Sequence, residues 1–265
     1  MYYDDPYADA DEQRRRKPAP AKWAGAAAVC AALAAGAWFF QTQAAGSGHD
    51  ASDTDAAVID VSENLRHSIM RKSYAPAVAQ FAAEASDAGK QRLCVAVGGR
   101  RYLAGPDQCP DITGFGGGPI GAARTREWAT NLEQQVDALG GKRNFLAGGS
   151  SIFEMVAEVG RQLGRGSRLL VLSDGYQNSP AIGSFTEGKL KFDDAGRAAI
   201  LKRLKRAELT PDLTGVTVLV PFPFTHGDEP DHQTPARKAA IEQVWREWAQ
   251  QTGATLKWGA EARRG

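Results

Sequence analysis

The chain has 265 residues, 43% of them hydrophobic and 24% charged, enough to bury one full-sized core and leave a short tail outside it. Its 32 basic and 31 acidic residues leave a formal net charge of +1, so it lacks the basic field that gathers phosphates and no nucleic-acid partner is expected. The three cysteines, Cys30, Cys94 and Cys109, are too few for a disulfide-built scaffold and include no CxxC pair of the kind that holds zinc.

Residues 1–22 begin acidic and tyrosine-bearing and end in Arg14, Arg15, Arg16, Lys17 and Lys22; they read as a disordered cytoplasmic tail. Residues 23–40 carry no charge and close on Trp38, Phe39 and Phe40, side chains suited to the headgroup zone of a bilayer. A single transmembrane helix is expected here, with a cleaved signal peptide ending near Thr42-Gln43-Ala44 as the rival reading. Both readings export the remainder, because the basic cluster precedes the apolar run and small, acidic residues follow it. The expected location is therefore the inner (cytoplasmic) membrane, N-terminus cytoplasmic, with the soluble part periplasmic or extracellular. Residues 41–56, rich in Gly, Ser, Ala and Asp, read as a flexible linker.

From residue 57 to about 260, short apolar runs alternate with longer amphipathic ones, the pattern of an α/β sheet covered by helices. A strand is expected at 57–61 and a helix at 68–88, where Pro76 marks a kink or a late start. A second strand at 92–97 leads through Gly98-Gly99, a tight hairpin, into a short antiparallel edge strand at 100–104. Cys94 in that strand and Cys109 in the loop of residues 105–119 can pair if the domain is exported; two separate thiols are the plainer expectation. Helices follow at 122–139 and from just after Ser150 to about 163, then a strongly apolar strand at 168–172 and a small hairpin within 184–192. A helix at 195–208 carries Lys202, Arg203, Lys205 and Arg206, read as a solvated face. The chain ends in a strand at 216–221, a helix at 235–251 and a strand at 254–258. Trp245 and Trp248, three apart on that helix, are expected to pack against the sheet.

Three segments stand where such a sheet binds ligands, outside the carboxyl ends of its strands. Asp60-Val61-Ser62-Glu63-Asn64 leaves the first strand with oxygen-bearing side chains at alternate positions. Gly148-Gly149-Ser150-Ser151-Ile152 enters a helix through a glycine turn and presents a hydroxyl at its start. Ser173-Asp174-Gly175 leaves the central apolar strand. Taken singly, each has a plain structural reading: Ser62, Asn64 or Ser150 as helix N-caps, and Asp174-Gly175 as a turn. Two other patterns carry less. The glycines of residues 114–121 follow no convincing strand and lack the later acidic residue of a dinucleotide site, and the loop containing His226 and His232 reads as solvated.

Together the three segments resemble the metal-ion-dependent adhesion site of von Willebrand factor A domains, which reads Asp-x-Ser-x-Ser, then a Thr after glycines, then Asp in a Thr-Asp-Gly context. Asp60 and Ser62 match the first two ligands and Asn64 stands where the third is usually Ser. Ser150 stands in the Thr position and Asp174 is the last aspartate. The resemblance implies a Rossmann-like α/β fold, with a mostly parallel central sheet, one antiparallel edge strand and helices on both faces. It also implies bound Mg²⁺ or Mn²⁺. Ser150 keeps the hydroxyl of Thr, and Asn64 offers an amide oxygen, still a hard donor. Mg²⁺ takes six oxygens at about 2.1 Å, and ligands that are mostly neutral hydroxyls leave it electrophilic toward a partner's carboxylate. The expected activity is thus binding rather than catalysis: a membrane-anchored module that captures an acidic group of a protein partner. Gln177-Asn178-Ser179 after Asp174, and Leu213-Thr214-Gly215-Val216 with the Trp-bearing helix, look like bacterial A-type proteins, some of which accompany envelope or mobile-element machinery, which would imply a part in such an assembly. The alternatives are a metal-dependent hydrolase using Asp60 and Asp174 to activate water, and a scaffold whose metal site is vestigial.

Overall fold

The apolar run near residue 57 forms strand β1, Thr54–Asp60, buried along its whole length, as a central strand covered on both faces must be. The computed structural model describes residues 51–61, 74–99, 102–103, 109–140, 149–224 and 234–264. The tail, the apolar segment 23–40 and the linker as far as residue 50 lie outside them. Among the described residues no helix is long and apolar enough to cross a membrane.

Strand β2 (Arg92–Gly98) pairs parallel to β1, and β3 (Tyr102–Leu103) pairs antiparallel to β2. On the other side of β1 come β4 (Arg168–Leu172), then β7 (Thr217–Val220) and β8 (Thr255–Trp258), all parallel. Between β4 and β7 lies a separate two-stranded ladder of β5 (Asn178–Ser179) and β6 (Gly183–Ser184). The main sheet has the order β3-β2-β1-β4-β7-β8: five parallel strands with one antiparallel edge strand, as the alternation predicts.

Side chains alternate across this sheet. Ala56, Val58, Leu169, Val171, Val218 and Val220 face the helices α3 (Ile152–Gly160), α4 (Asp194–Arg206) and α5 (Pro235–Thr252). Ala57, Ile59, Val95, Leu170, Leu172 and Leu219 face α1 (Tyr74–Asp87) and α2 (Gly118–Gly140). The chain leaves β1 toward β2 and later leaves β4 in the opposite direction. Crossovers of one hand then put their helices on opposite faces.

Local chemistry sets the helix ends. Asp193 accepts from the Gly196 N–H at 2.8 Å to cap α4, and Thr234 accepts from the Arg237 N–H at 3.2 Å to cap α5. Pro235 follows at the first position of α5, where its missing N–H costs no helical bond, and Gly253 closes the helix at φ 76°. Pro76 likewise falls in the first turn of α1 as described. Trp245 and Trp248 are fully buried against the sheet, as expected. Trp245 stacks on Phe153 at 4.3 Å between ring centroids, and the Trp248 Nε1–H donates to the Leu209 carbonyl at 2.9 Å.

Three expectations need correction. Residues 51–56 are not linker: a 3-10 turn occupies Ala51–Asp53 and β1 begins at Thr54. The small hairpin lies at 178–184 rather than 184–192. Its turn is closed by the Ser179 hydroxyl, which accepts from the Ile182 N–H at 3.4 Å. The strand then stops where the Ser184 hydroxyl accepts from the N–H groups of Thr186 and Glu187. Third, Cys94 and Cys109 are joined in a disulfide, S–S 2.09 Å, not two separate thiols. Residues 109–112 run antiparallel along the start of β2, with the Ile112 N–H donating to the Gln91 carbonyl at 2.8 Å and the Leu93 N–H to the Pro110 carbonyl at 3.2 Å. That pairing carries Cys109 to the side of Cys94.

Candidate functional site

The strand order reverses at the boundary between β1 and β4, the position where open α/β sheets open a crevice at their carboxyl ends. Asp60 is the last residue of β1, and Ser173 and Asp174 follow β4 directly. All three are buried, Asp60 at 0% and Asp174 at 4% exposure. The Ser173 hydroxyl joins the two acids: it donates to Asp60 Oδ2 at 2.9 Å and lies 3.5 Å from Asp174 Oδ1. The same oxygen accepts from the Gly175 N–H at 3.1 Å, while Asp174 Oδ1 accepts from the Tyr176 N–H at 3.0 Å.

Groups from distant elements hold this turn. The Trp245 Nε1–H of α5 donates to the Gly175 carbonyl at 3.1 Å, and the Phe224 N–H, after β7, donates to the Asp174 carbonyl at 2.9 Å. Gly175 sits at φ 84°, and a Cβ there would stand 3.0 Å from the Trp258 ring. Backbone conformation and the close approach of an aromatic ring thus both require glycine. On the β1 side the Tyr74 hydroxyl donates to the Asp60 carbonyl at 2.7 Å.

Burial dominates the electrostatics. It removes water from the Asp174 carboxyl, and with the negative charge of Asp60 beside it pushes that carboxyl from 3.8 up to about 7, against the hydrogen bonds from Tyr176 and Ser173. The Tyr74 hydroxyl is raised well above its ordinary range by burial first, then by Asp60 and Asp174.

Ser150 reaches the same end of the sheet through backbone pairing. Its N–H donates to the Asn178 carbonyl at 2.9 Å and its carbonyl accepts from the Asn178 N–H at 2.8 Å. The next residue, Ser151, donates its N–H to the Gly99 carbonyl at 2.8 Å, and Val61 donates to the Gly98 carbonyl at 2.8 Å. The turn after β2 therefore ties the Asp60 segment to the Ser150 segment. Ser150 is not the helix cap: Ser151 is the N-cap of α3 and makes no capping side-chain bond. Gln177 does that work, its Oε1 accepting from the Phe153 N–H at 3.0 Å and its Nε2 donating to Glu154 at 2.8 Å.

Asp60 and Asp174 thus meet on one hydroxyl, and Ser150 is fixed by backbone pairing to Asn178, four residues after Asp174. Ser62, Asn64, Gly148, His226 and His232 lie outside the described residues. Sequence reasoning missed Ser173 as the bridge, Tyr74 as the anchor of Asp60 and Gln177 as the helix cap. Of these only Ser173 carried a signal, its place before Asp174-Gly175. Among the described residues no three His, Cys, Asp or Glu side chains gather as a metal cage. The oxygens that could hold a cation here are the two carboxylates and the Ser173 hydroxyl between them, hard donors of the kind that suit Mg²⁺ or Mn²⁺. No family model matches the chain, and no curated protein matches it.

Proposed function

We propose that this crevice holds a divalent cation, Mg²⁺ or Mn²⁺, and that the domain is an exported, membrane-anchored module of von Willebrand A type capturing an acidic group of a protein partner. The observation that carries the reading is the pair of buried acids joined by Ser173 at the switch between β1 and β4. Asp174 is held toward its protonated form by burial and by Asp60. A cation would reverse that cost, since opposite charge favours the ionised carboxylate.

In this reading Asp60 and Asp174 supply negative charge, Ser150 supplies a neutral hydroxyl, and Ser62 and Asn64 complete the set from the segment after β1. Ser173 orients both carboxylates, while Tyr74, Trp245 and Phe224 fix the backbone that carries them. A bound cation would offer an open position to a carboxylate from outside. Export through residues 23–40 agrees with the Cys94–Cys109 disulfide, a bond that persists in oxidising compartments.

Calorimetry with MgCl₂ or MnCl₂ tests the reading. Saturable binding to wild type, lost in Asp174→Ala and weakened in Ser150→Ala, is expected. Crosslinking of the intact membrane form should capture a protein in Mg²⁺ and lose it in EDTA. Absence of metal binding to correctly folded wild type would leave the vestigial scaffold as the better account.

A further inference from the structure

Next to Asn178, the residue paired with Ser150, opens a cavity of about 470 Å³, within the range of ligand-binding pockets, roughly 300–1,000 Å³. Its walls are the β5–β6 ladder, the stretch carrying Glu187, Lys189 and Leu190, and Arg203 from α4. The walls are built rather than loose. Ser179 accepts from Gln177 Nε2 at 2.8 Å, and Ser184 accepts from two backbone N–H groups. Gly183, at φ 102°, leaves open the space where a Cβ would stand 3.5 Å from Leu190 and 3.6 Å from Arg203.

The charges in this cavity are unequal. Glu187 is answered by Lys189 at 3.0 Å. Arg203 is aimed at the ladder by one bond, Nη1 donating to the Ile182 carbonyl at 3.0 Å. It forms no ion pair with a carboxylate among the described residues. A guanidinium presents five donors in a rigid fork that matches a carboxylate, and this one spends a single donor on the backbone. Arg203 is exposed, as are Lys202, Lys205 and Arg206, in keeping with the solvated face expected of that cluster, and its side chain also lines this concavity beside Asn178.

We infer that this cavity is the second contact for the protein partner, in which Arg203 binds a second carboxylate of an acidic segment whose first carboxylate meets the cation. The inference rests on the proposed function, and it narrows the partner to a segment bearing two acidic side chains. Leu190 and Pro180 receive the methylene stem of the second acid, and Arg203 its head.

The test uses the full chain and blocked peptides carrying two glutamates separated by glycine spacers of increasing length. Matched peptides have one glutamate changed to glutamine. In MgCl₂, at the best spacer, the second glutamate should tighten binding about tenfold, the scale of one charge-assisted contact. The gain should vanish in Arg203→Gln and survive in part in Arg203→Lys, which keeps the charge without the fork. The Gly183 amide resonance should move only with the two-glutamate peptide. If glutamine serves as well as the second glutamate at every spacer, or the gain persists in Arg203→Gln, the inference is overturned. Binding that ignores EDTA and Asp174→Ala yet needs Arg203 would uphold the cavity and refute the metal. Binding that needs Mg²⁺ but ignores the second glutamate would do the reverse.

Discussion

Replacing Asp174 by Asn separates the cost of a buried charge from the use of that charge. The substitution keeps the shape of the side chain and an Oδ1 that can accept from the Tyr176 N–H, but removes the negative charge beside Asp60. In the native fold the Asp174 carboxyl stands near 7 against an ordinary 3.8, a rise of roughly three pH units. At about 1.36 kcal/mol per unit, the ionised carboxylate costs the metal-free fold about 4 kcal/mol, an upper value because Asp60 shares the interaction. The sign follows from linkage: a group raised in the folded state contributes stability present below about pH 4 and lost as pH rises through about 7. In EDTA, Asp174→Asn should therefore match wild type near pH 4 and exceed it progressively up to pH 8. The full difference there, converted for a domain of this size, is on the order of 10 °C in melting temperature. Thermal unfolding of both proteins across this range measures it. A variant less stable than wild type at pH 8 in EDTA, or a difference independent of pH, would refute the electrostatic account of the site.

Under the proposed function the same titration would govern metal binding. Because Asp174 must ionise to serve a cation, Mg²⁺ or Mn²⁺ at a hundredfold excess over its Kd at pH 8 should stabilise wild type by about 2.7 kcal/mol there, and the same concentration should stabilise it less at pH 5.5. Asp174→Asn should lose most of that response. Gly175→Ala should destabilise by about 1–3 kcal/mol, since the residue sits at φ 84° with the Trp258 ring 3.0 Å from the added Cβ; calorimetry should also show weaker metal binding, because the Asp174 turn must shift. Reducing the Cys94–Cys109 disulfide, which spans 15 residues, should cost about 3 kcal/mol by chain entropy. A melting temperature unmoved by reductant, with thiol labelling showing both cysteines free, would contradict that estimate.

What could be read from the sequence was local in origin. The apolar runs at 57–61 and 168–172 were legible as strands, although the true start of the first at Thr54 was not, and the position of Asp60 and Asp174 near their carboxyl ends follows from chain order alone. The antiparallel edge strand was legible for the same reason, although it is described only at Tyr102–Leu103 and Gly98 belongs to β2 itself, paired with Tyr102. The two-residue strands β5 and β6 were not, because a pair of residues has no periodicity, and their place is set by serine hydroxyls closing turns. Arg203 was indistinguishable from its basic neighbours Lys202, Lys205 and Arg206 until α4 had a fixed rotation against the sheet.

By itself, then, the sequence determined the alternation of strands and helices and the chemistry present at each strand end, since both depend on residue type and short spacing. Tertiary structure decided which of those ends meet. Asp60 and Ser173 are 113 positions apart, and they share a hydrogen bond because β1 and β4 are neighbours at the point where the strand order reverses. Cys109 reached Cys94, and Tyr74 and Trp245 reached the turn they hold, by the same means. These contacts depend on sheet register and helix packing, which no short stretch of residues encodes.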